Sequence, residues 1–407
     1  MKKIVFLIFI STLTFTLFAQ NQAERPYVIM ISMDGFRWDY PDKVATPNLH
    51  YVERHGVKAK SLRPAFPTKT FPNHYAIATG LYPDHNGIVN NSFYDPQMDA
   101  HYSMGDSTKE NPAFYNGEPI WNTAEKQGVK TASFYWVGSD VAIQGMHPTY
   151  WKKYVHLFPF EQRLDTAIAW LNLPEEKRPH LILLYLHEPD AVGHDYGPDG
   201  KKTLQEVHLL DSLVGDFIQK INRLPIAKKV NLIITADHGM CNIANDRVIY
   251  LSDYVKKSWI KEREGGNPNY NFSITDGCLD SAYLSLMKAP HLKVWKHGSL
   301  PERLHYGNSP RDLDLIIVSD SAWSVSWKPG RPFSGGTHGF DNSNTDVHAI
   351  FYAIGPAFKK GYIQPTFDNV DLYPLITYIL GIRPAPNDGN IEEVKSMLIP
   401  NYSPETK

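Results

Sequence analysis

The chain has 407 residues, 42% of them hydrophobic and 13% aromatic, with a formal net charge of -2. That length buries a large core and excludes a small scaffold held by disulfides, since only Cys241 and Cys278 occur. A near-neutral charge provides no overall field for nucleic acid, and a stable nucleic-acid complex is not expected.

The predicted elements run as follows. Lys2 and Lys3 precede an apolar stretch from Ile4 to Phe18, and Ala19 supplies a small cleavage residue. Residues 1–19 therefore read as a signal peptide, too short for a spanning helix, and the mature chain as periplasmic or secreted with no membrane span. No Cys lies near the cleavage point to carry a lipid. Tyr27–Met33 reads as a buried strand, Phe71–Gly80 as a helix with Pro72 in its first turn, and Gly117–Gly128 as a second helix. Thr131–Trp136 reads as a strand, Phe160–Leu171 as a helix and His180–Leu186 as an almost wholly apolar strand. Lys202–Leu224 places Leu204, Val207, Leu210, Val214, Phe217, Ile218 and Ile221 on one helical face. Val230–Thr235 reads as another buried strand, and strands return at Leu313–Val318 and Val347–Ala353 before a helix at Val370–Leu380. Between residues 247 and 306 the composition shifts toward Lys, Gly, Asn and Trp, with a short strand expected at Ser281–Met287. That stretch reads as an inserted cap or a surface excursion. The alternation predicts an α/β fold, a mainly parallel sheet covered by helices on both faces. One catalytic domain is expected over residues 25–390, with 391–407 as a C-terminal tail.

Acidic and histidine clusters follow the apolar runs. Asp34 follows the first strand, Asp190 and His194 the strand ending at Leu186, and Asp237 and His238 the strand ending at Thr235. His338 lies in the segment Gly335-Gly-Thr-His-Gly-Phe340. Open α/β sheets gather ligands at the carboxyl ends of their strands. Singly, an Asp-Gly or His-Gly pair is often only a turn, but three Asp and three His suit two divalent metals with three ligands apiece. Asp190 and His194 share a face if they lie on a helix. Asp237 and His238 converge only where the strand has given way to a loop. Cys241, a softer ligand nearby, is not required. Three carboxylates leave two dications with net positive charge, ready for one more anion. Thr70, at the start of a helix, is the candidate hydroxyl, because free N–H groups there favour an alkoxide or a phosphoryl oxygen. Alone, Thr70 reads as a helix N-cap.

Several motifs together resemble the nucleotide pyrophosphatase/phosphodiesterase family of the alkaline phosphatase superfamily, in its compact bacterial form. They are Met33-Asp-Gly-Phe-Arg37, Phe66-Pro-Thr-Lys-Thr-Phe-Pro-Asn-His-Tyr75, Thr79-Gly-Leu-Tyr-Pro83 and Asn91-Ser-Phe-Tyr-Asp-Pro96. Gly117-Glu-Pro-Ile-Trp121, Glu188-Pro-Asp-Ala-Val-Gly-His194, Thr235-Ala-Asp-His-Gly-Met240 and Thr337-His-Gly-Phe-Asp341 continue the set. The resemblance spans roughly Arg25 to Gly389 and implies an alkaline-phosphatase-like core. It also implies two Zn2+ ions, one held by Asp190, His194 and His338, the other by Asp34, Asp237 and His238 with Thr70 reaching toward it. Thr70 would be the nucleophile of a double displacement through a phosphothreonine-type intermediate. Asn91 would donate to a phosphate oxygen together with the backbone N–H beside Thr70. Phe71 and Tyr154 would flank a nucleobase, and Lys109 would lie near a terminal phosphate. Monoesterase relatives carry a Lys-x-Arg pair where this chain has Trp136-Val-Gly-Ser-Asp140, which favours a nucleotide phosphodiesterase or pyrophosphatase. A phosphomonoesterase or a choline-lipid-type phosphodiesterase is the alternative.

Overall fold

The computed structural model describes residues 25–330 and 332–403. The expected signal peptide, residues 1–19, lies outside these residues. An eight-stranded sheet forms the centre. Its core strand is β1 (Tyr27–Met33), every residue of which is buried. After it come α1 (Pro47–His55), β2 (Val57–Ala59), α2 (Thr70–Thr79), the antiparallel hairpin of β3 (Ser92–Asp95) and β4 (Ala100–Ser103), and α3 (Ile120–Lys126). Next are β5 (Thr131–Phe134), β6 (Tyr150–Trp151), α4 (Phe160–Leu171), β7 (Leu181–Leu186), α5 (Asp190–Tyr196), α6 (Lys201–Asn222) and β8 (Val230–Thr235).

The stretch after β8 supplies β9 (Ile260–Gly266), β10 (Asn269–Ile274), α7 (Leu279–Leu286), β11 (Leu292–Lys296) and β12 (Leu315–Ser319). The chain then returns to the main body with β13 (Phe351–Ile354), β14 (Tyr362–Gln364), α8 (Leu372–Leu380) and α9 (Ile391–Val394).

The order in the main sheet is β14-β2-β13-β8-β1-β7-β5-β6. β8, β1, β7, β5 and β6 run parallel in succession, while β13 is antiparallel to both of its neighbours. Two helix groups cover the sheet: α1, α4 and α5 contact α6, whereas α2 and α3 contact α8, which also rests on β1. A parallel strand covered on both faces loses alternation and becomes a continuous apolar run, as β1, β7 and β8 show. The apolar face of α6 buries Val207, Leu210, Val214, Phe217 and Ile221, as its periodicity predicts. Its Asp211 accepts from the backbone N–H groups of Asn48 and Leu49 at 3.2 and 2.8 Å, an acid placed on the positive end of α1. This is the alkaline-phosphatase-like α/β architecture.

Two expectations need correction. Ser281–Met287 is not a strand: Ser281–Leu286 belongs to α7, which buries Ala282 and Leu286 one turn apart, and Met287 caps it. Leu313–Val318 does contain a strand, β12, but it does not return to the main sheet. It pairs between β10 and β11 in a separate four-stranded antiparallel sheet, ordered β9-β10-β12-β11. Leu251, Phe272, Leu286, Leu315, Ile317 and Val325 form the second core. The packing of the 247–306 stretch therefore extends past residue 306, to Val325. Within residues 391–403, Val394, Met397 and Leu398 are buried against the main core. Among the described residues, no helix is long and apolar enough to cross a membrane.

Candidate active site

The site forms where β1, β7 and β8 end side by side. Met33 of β1 is level with Leu186 of β7, and Ser32 with Thr235 of β8. Asp34, Asp190 and Asp237 are thus delivered to one place from three adjacent strands. Gly35 makes the close approach feasible: at φ +70°, a Cβ there would sit 2.9 Å from the Asp190 Cα. Asp190 opens α5, and His194 one turn later lies on the same face, its Nε2 3.4 Å from Asp190 Oδ2. His338 enters from the far loop, its Nε2 3.7 Å from Asp190 Oδ1. β8 has ended before Asp237, so Asp237 and His238 turn the same way, with His238 Nε2 3.0 Å from Asp237 Oδ2 and 3.5 Å from Asp34 Oδ1. The His238 and His338 rings stack at 3.6 Å.

Each histidine is anchored through Nδ1. His194 Nδ1 lies 2.9 Å from the Gly336 carbonyl, His338 Nδ1 2.8 Å from that of Thr68, and His238 Nδ1 2.8 Å from that of Gly239. A carbonyl only accepts, so Nδ1 carries the proton and Nε2 presents a lone pair. The carboxylates are held in the same way, by one oxygen. Asp34 Oδ2 accepts from the Tyr185 hydroxyl at 2.6 Å, and Asp237 Oδ1 from the Gly35 N–H at 3.2 Å. Asp34 Oδ1, Asp190 Oδ1 and Asp237 Oδ2 are buried with no hydrogen-bond partner. Three orphaned carboxylate oxygens facing three imidazole lone pairs fit divalent cations and little else.

Electrostatics agree with a site suited to positive charge. Burial raises the pKa of Asp34 well above the ordinary carboxylate range, and Asp237 and Asp190 push it the same way. Burial also works upward on Asp237, but His238 and His74 outweigh it and hold that carboxyl at about 2. Burial pushes His338 well down, with the His238 charge and Lys69 adding to the effect.

Asp190, His194 and His338 form one converging ligand set. The expected triplet of Asp34, Asp237 and His238 does not converge as one set: Asp34 and Asp237 converge with His74, and Asp34 and Asp190 with His238, while His238 Nε2 lies near both Asp34 and Asp237. His74, four residues after Thr70 on α2, was not singled out from the sequence. That helical spacing was the available signal. Its Nδ1 lies 3.0 Å from the Thr70 carbonyl and 3.4 Å from Asp237 Oδ2, and its Nε2 2.8 Å from Ser32 Oγ. With its two nitrogens engaged by the Thr70 carbonyl and Ser32 Oγ, His74 lies beside Asp237 and leaves the free imidazole lone pair to His238. Tyr185, which anchors Asp34, had no sequence signal beyond being the one polar-tipped residue in an aliphatic strand.

Thr70 is the first residue of α2, and its Oγ1 lies 3.3 Å from His238 Nε2. Asn91 differs from expectation in one respect. Its Oδ1 accepts the Phe71 N–H at 2.9 Å, so the backbone donor beside Thr70 is already occupied. That bond turns the Asn91 Nδ2 away, with no protein acceptor among the described residues. Phe71, Tyr154 and Lys109 all line a cavity of about 300 Å³ that also contains Asp34, Thr70 and Asp190. Tyr115, Tyr135, Trp136, Tyr185 and His187 complete its aromatic wall, and Asp140 faces it. Lys109 Nζ is held by the Met104 carbonyl at 2.8 Å. Both cysteines are free, and Cys241 lies against Ser321 and Asp346, outside the ligand sets.

The profile of type I phosphodiesterase / nucleotide pyrophosphatase matches residues 28–341. Ectonucleotide pyrophosphatase/phosphodiesterase family member 3 of Rattus norvegicus is 37% identical over 94% of this chain and 45% of its own length. A venom phosphodiesterase of Crotalus durissus collilineatus is also 37% identical, over 94% of this chain and 47% of its own. The chain spans slightly under half the length of these relatives. The solved structure of an inactive threonine-to-alanine variant of murine ectonucleotide pyrophosphatase / phosphodiesterase 5, in complex with AMP, superposes with a TM-score of 0.88 at 34% identity, covering 92% of this chain and all of that one. The human counterpart gives 0.87 at 35% identity, covering 91% and 99%. By the profile match, these identities and the shared fold, the chain belongs to the type I phosphodiesterase / nucleotide pyrophosphatase family.

Proposed function

We propose that this protein is a two-zinc hydrolase of nucleotide phosphodiester and pyrophosphate bonds, working through a covalent intermediate on Thr70. The observation that carries the reading is the set of uncommitted carboxylate oxygens and imidazole Nε2 atoms that converge beside Thr70, whose hydroxyl meets His238 Nε2 and which lines an aromatic cavity with Asp34 and Asp190. Asp190, His194 and His338 would hold one ion, and Asp34, Asp237 and His238 the other. Bound there, zinc supplies Lewis-acid charge that acidifies a hydroxyl and neutralises phosphoryl oxygens.

The chain's own groups then divide the work. Thr70 Oγ gives its proton to solvent and attacks phosphorus, forming a P–O bond as the bond to the leaving oxygen breaks and that oxygen takes up a proton from water. In the second half a water oxygen attacks the same phosphorus as the bond to Thr70 Oγ breaks, and a proton of that water passes to Thr70 Oγ, restoring the hydroxyl. The α2 N-terminus favours the negative charge on the transferring group. Asn91 Nδ2, fixed by the bond of its Oδ1 to Phe71, donates to a phosphoryl oxygen. Phe71 and Tyr154 take the nucleobase between aromatic faces, a recognition that tolerates any base. Lys109 waits on the same wall for a further phosphate. Asp140 at the cavity repels the second charge of a monoester, which supports diesters. The AMP bound in the murine relative is consistent with a nucleotide in the equivalent place. The basic and apolar start of the chain supports a secreted or periplasmic location.

Turnover of bis-p-nitrophenyl phosphate, p-nitrophenyl phosphate and a nucleotide p-nitrophenyl ester tests the reading. Faster diester and nucleotide-ester cleavage is expected. Faster monoester cleavage would overturn it.

A further inference from the structure

Arg163, on α4, is 0% exposed and has no carboxylate partner among the described residues. A buried cation without a counter-ion is unfavourable unless fixed dipoles replace water. Here they are all backbone carbonyls. Arg163 Nη1 donates to the Tyr185 carbonyl at 2.7 Å, Nη2 to those of His156 and Phe158 at 3.1 and 2.9 Å, and Nε to Phe158 again at 3.1 Å. The guanidinium also lies 5.0 Å from the centre of the Tyr135 ring and 4.9 Å from that of Phe160.

These contacts converge on one object. Tyr135, Tyr154, Tyr185 and His156 all line the cavity beside Thr70. Tyr185 comes from β7, Tyr154 and His156 from the loop before α4, and Tyr135 from the end of β5. Tyr135 has φ +127°, a conformation that side-chain-bearing residues rarely adopt, so its position depends on what surrounds it. Tyr154 faces it edge-on at 5.1 Å and bonds His156 Nδ1 through its hydroxyl at 2.9 Å. The loop beyond this is lightly held: Val155 and Leu157 are 53% and 86% exposed. Arg163 ties the strand, the loop and the strained tyrosine together through its hydrogen bonds to Tyr185, His156 and Phe158 and its ring contact with Tyr135.

We propose that Arg163 is a positioning residue for substrate selectivity, a buried guanidinium fork that holds the aromatic wall at the spacing a planar base requires. The proposal rests on the phosphodiesterase reading above, with the wall as its base site. A fork is needed because three carbonyls must be met at once, which a lysine ammonium cannot do in the same plane.

The test uses two diesters with one leaving group, thymidine 5′-p-nitrophenyl phosphate, which carries a base, and methyl p-nitrophenyl phosphate, which does not. Arg163→Met keeps the stem and removes the charge and donors; Arg163→Lys restores the charge alone. The proposal predicts that kcat/KM for the thymidine ester falls roughly ten- to a hundredfold in Arg163→Met, mainly through KM, the range that base stacking carries. The methyl ester should change by less than about threefold, because it makes no use of the base site and Arg163 meets Tyr185 only at its carbonyl, leaving the hydroxyl that anchors Asp34 on its strand. Arg163→Lys should recover only part of the loss. Equal losses on both esters would mean general support of the site and would overturn the proposal, as would no loss on either. Should Arg163→Met not fold, Arg163→Lys gives the same comparison with a smaller split. If wild type itself shows no preference for the thymidine ester, the base-site reading fails, whatever Arg163 does.

Discussion

Replacing Tyr185 with Phe removes one oxygen atom and leaves the aromatic wall in place. That hydroxyl donates to Asp34 Oδ2 at 2.6 Å, and Asp34 is only 2% exposed, so no water substitutes for it easily. A hydrogen bond to a charged group contributes about 1.5–3 kcal/mol. The bond has two effects on metal binding. It aims Oδ1 at His238, and it opposes the upward push that burial and Asp237 exert on the Asp34 pKa. Without it, Asp34 is both less well aimed and more readily protonated. Affinity for one of the two ions should therefore fall roughly ten- to a hundredfold, the usual effect of losing a partner behind a ligand. Competition against a chromophoric zinc chelator at neutral pH resolves the two binding steps. The step that depends on Asp34 should weaken while the one at Asp190, His194 and His338 stays within about threefold of wild type. Unchanged affinity at both steps, or equal weakening of both, would refute the reasoning.

Three further outcomes are expected. Asn91→Ala should lower kcat by about a hundred- to a thousandfold, roughly 2.7–4 kcal/mol, with near-normal zinc content by elemental analysis. Asp341 accepts from Arg303 at 2.7 and 2.8 Å and from Lys293 at 3.0 Å, tying β11 and the segment after it to the His338 loop. Asp341→Asn should lower stability to urea by about 1–2 kcal/mol, a figure reduced because both cations are half exposed. His180, stacked on Tyr27 at 4.3 Å, is held down at about 4 by burial, below an ordinary value of 6.5. Its unfolded form binds more protons between those values, so the stability it supports is present above pH 6.5 and lost as pH falls toward 4. His180→Phe keeps the stacking, and urea unfolding at neutral and acid pH should show a loss smaller than wild type's by up to about 3 kcal/mol.

Much of this architecture was legible in the sequence because doubly covered strands have to be apolar throughout. β1, β7 and β8 announce themselves, and their ends mark where Asp34, Asp190 and Asp237 must emerge. The helix α6 was equally clear from its 3.6-residue period. The run Ser281–Met287 was not, because seven residues with mixed apolar positions fit a strand or a helix turn alike, and only packing on the second core decides. β12 was visible as a strand, but its partners β10 and β11 are a matter of long-range pairing. In the site, the six candidate ligands were legible by position, whereas the groups behind them were not. His74 sits in a helix noted for Thr70 at its start, Tyr185 in an apolar strand, and Arg163 on a helix surface facing inward. Their importance arises from contacts with residues 22 to 163 positions away, which no local pattern contains.

The central claim is that Thr70 takes the phosphoryl group before water does. Each in-line displacement inverts phosphorus, so two of them restore its configuration. Hydrolysis of a nucleotide phosphorothioate ester of single configuration in isotopically labelled water reads this directly. The account predicts net retention at phosphorus, together with loss of turnover in Thr70→Ala. Net inversion would show a single attack by water and would contradict the role given to Thr70.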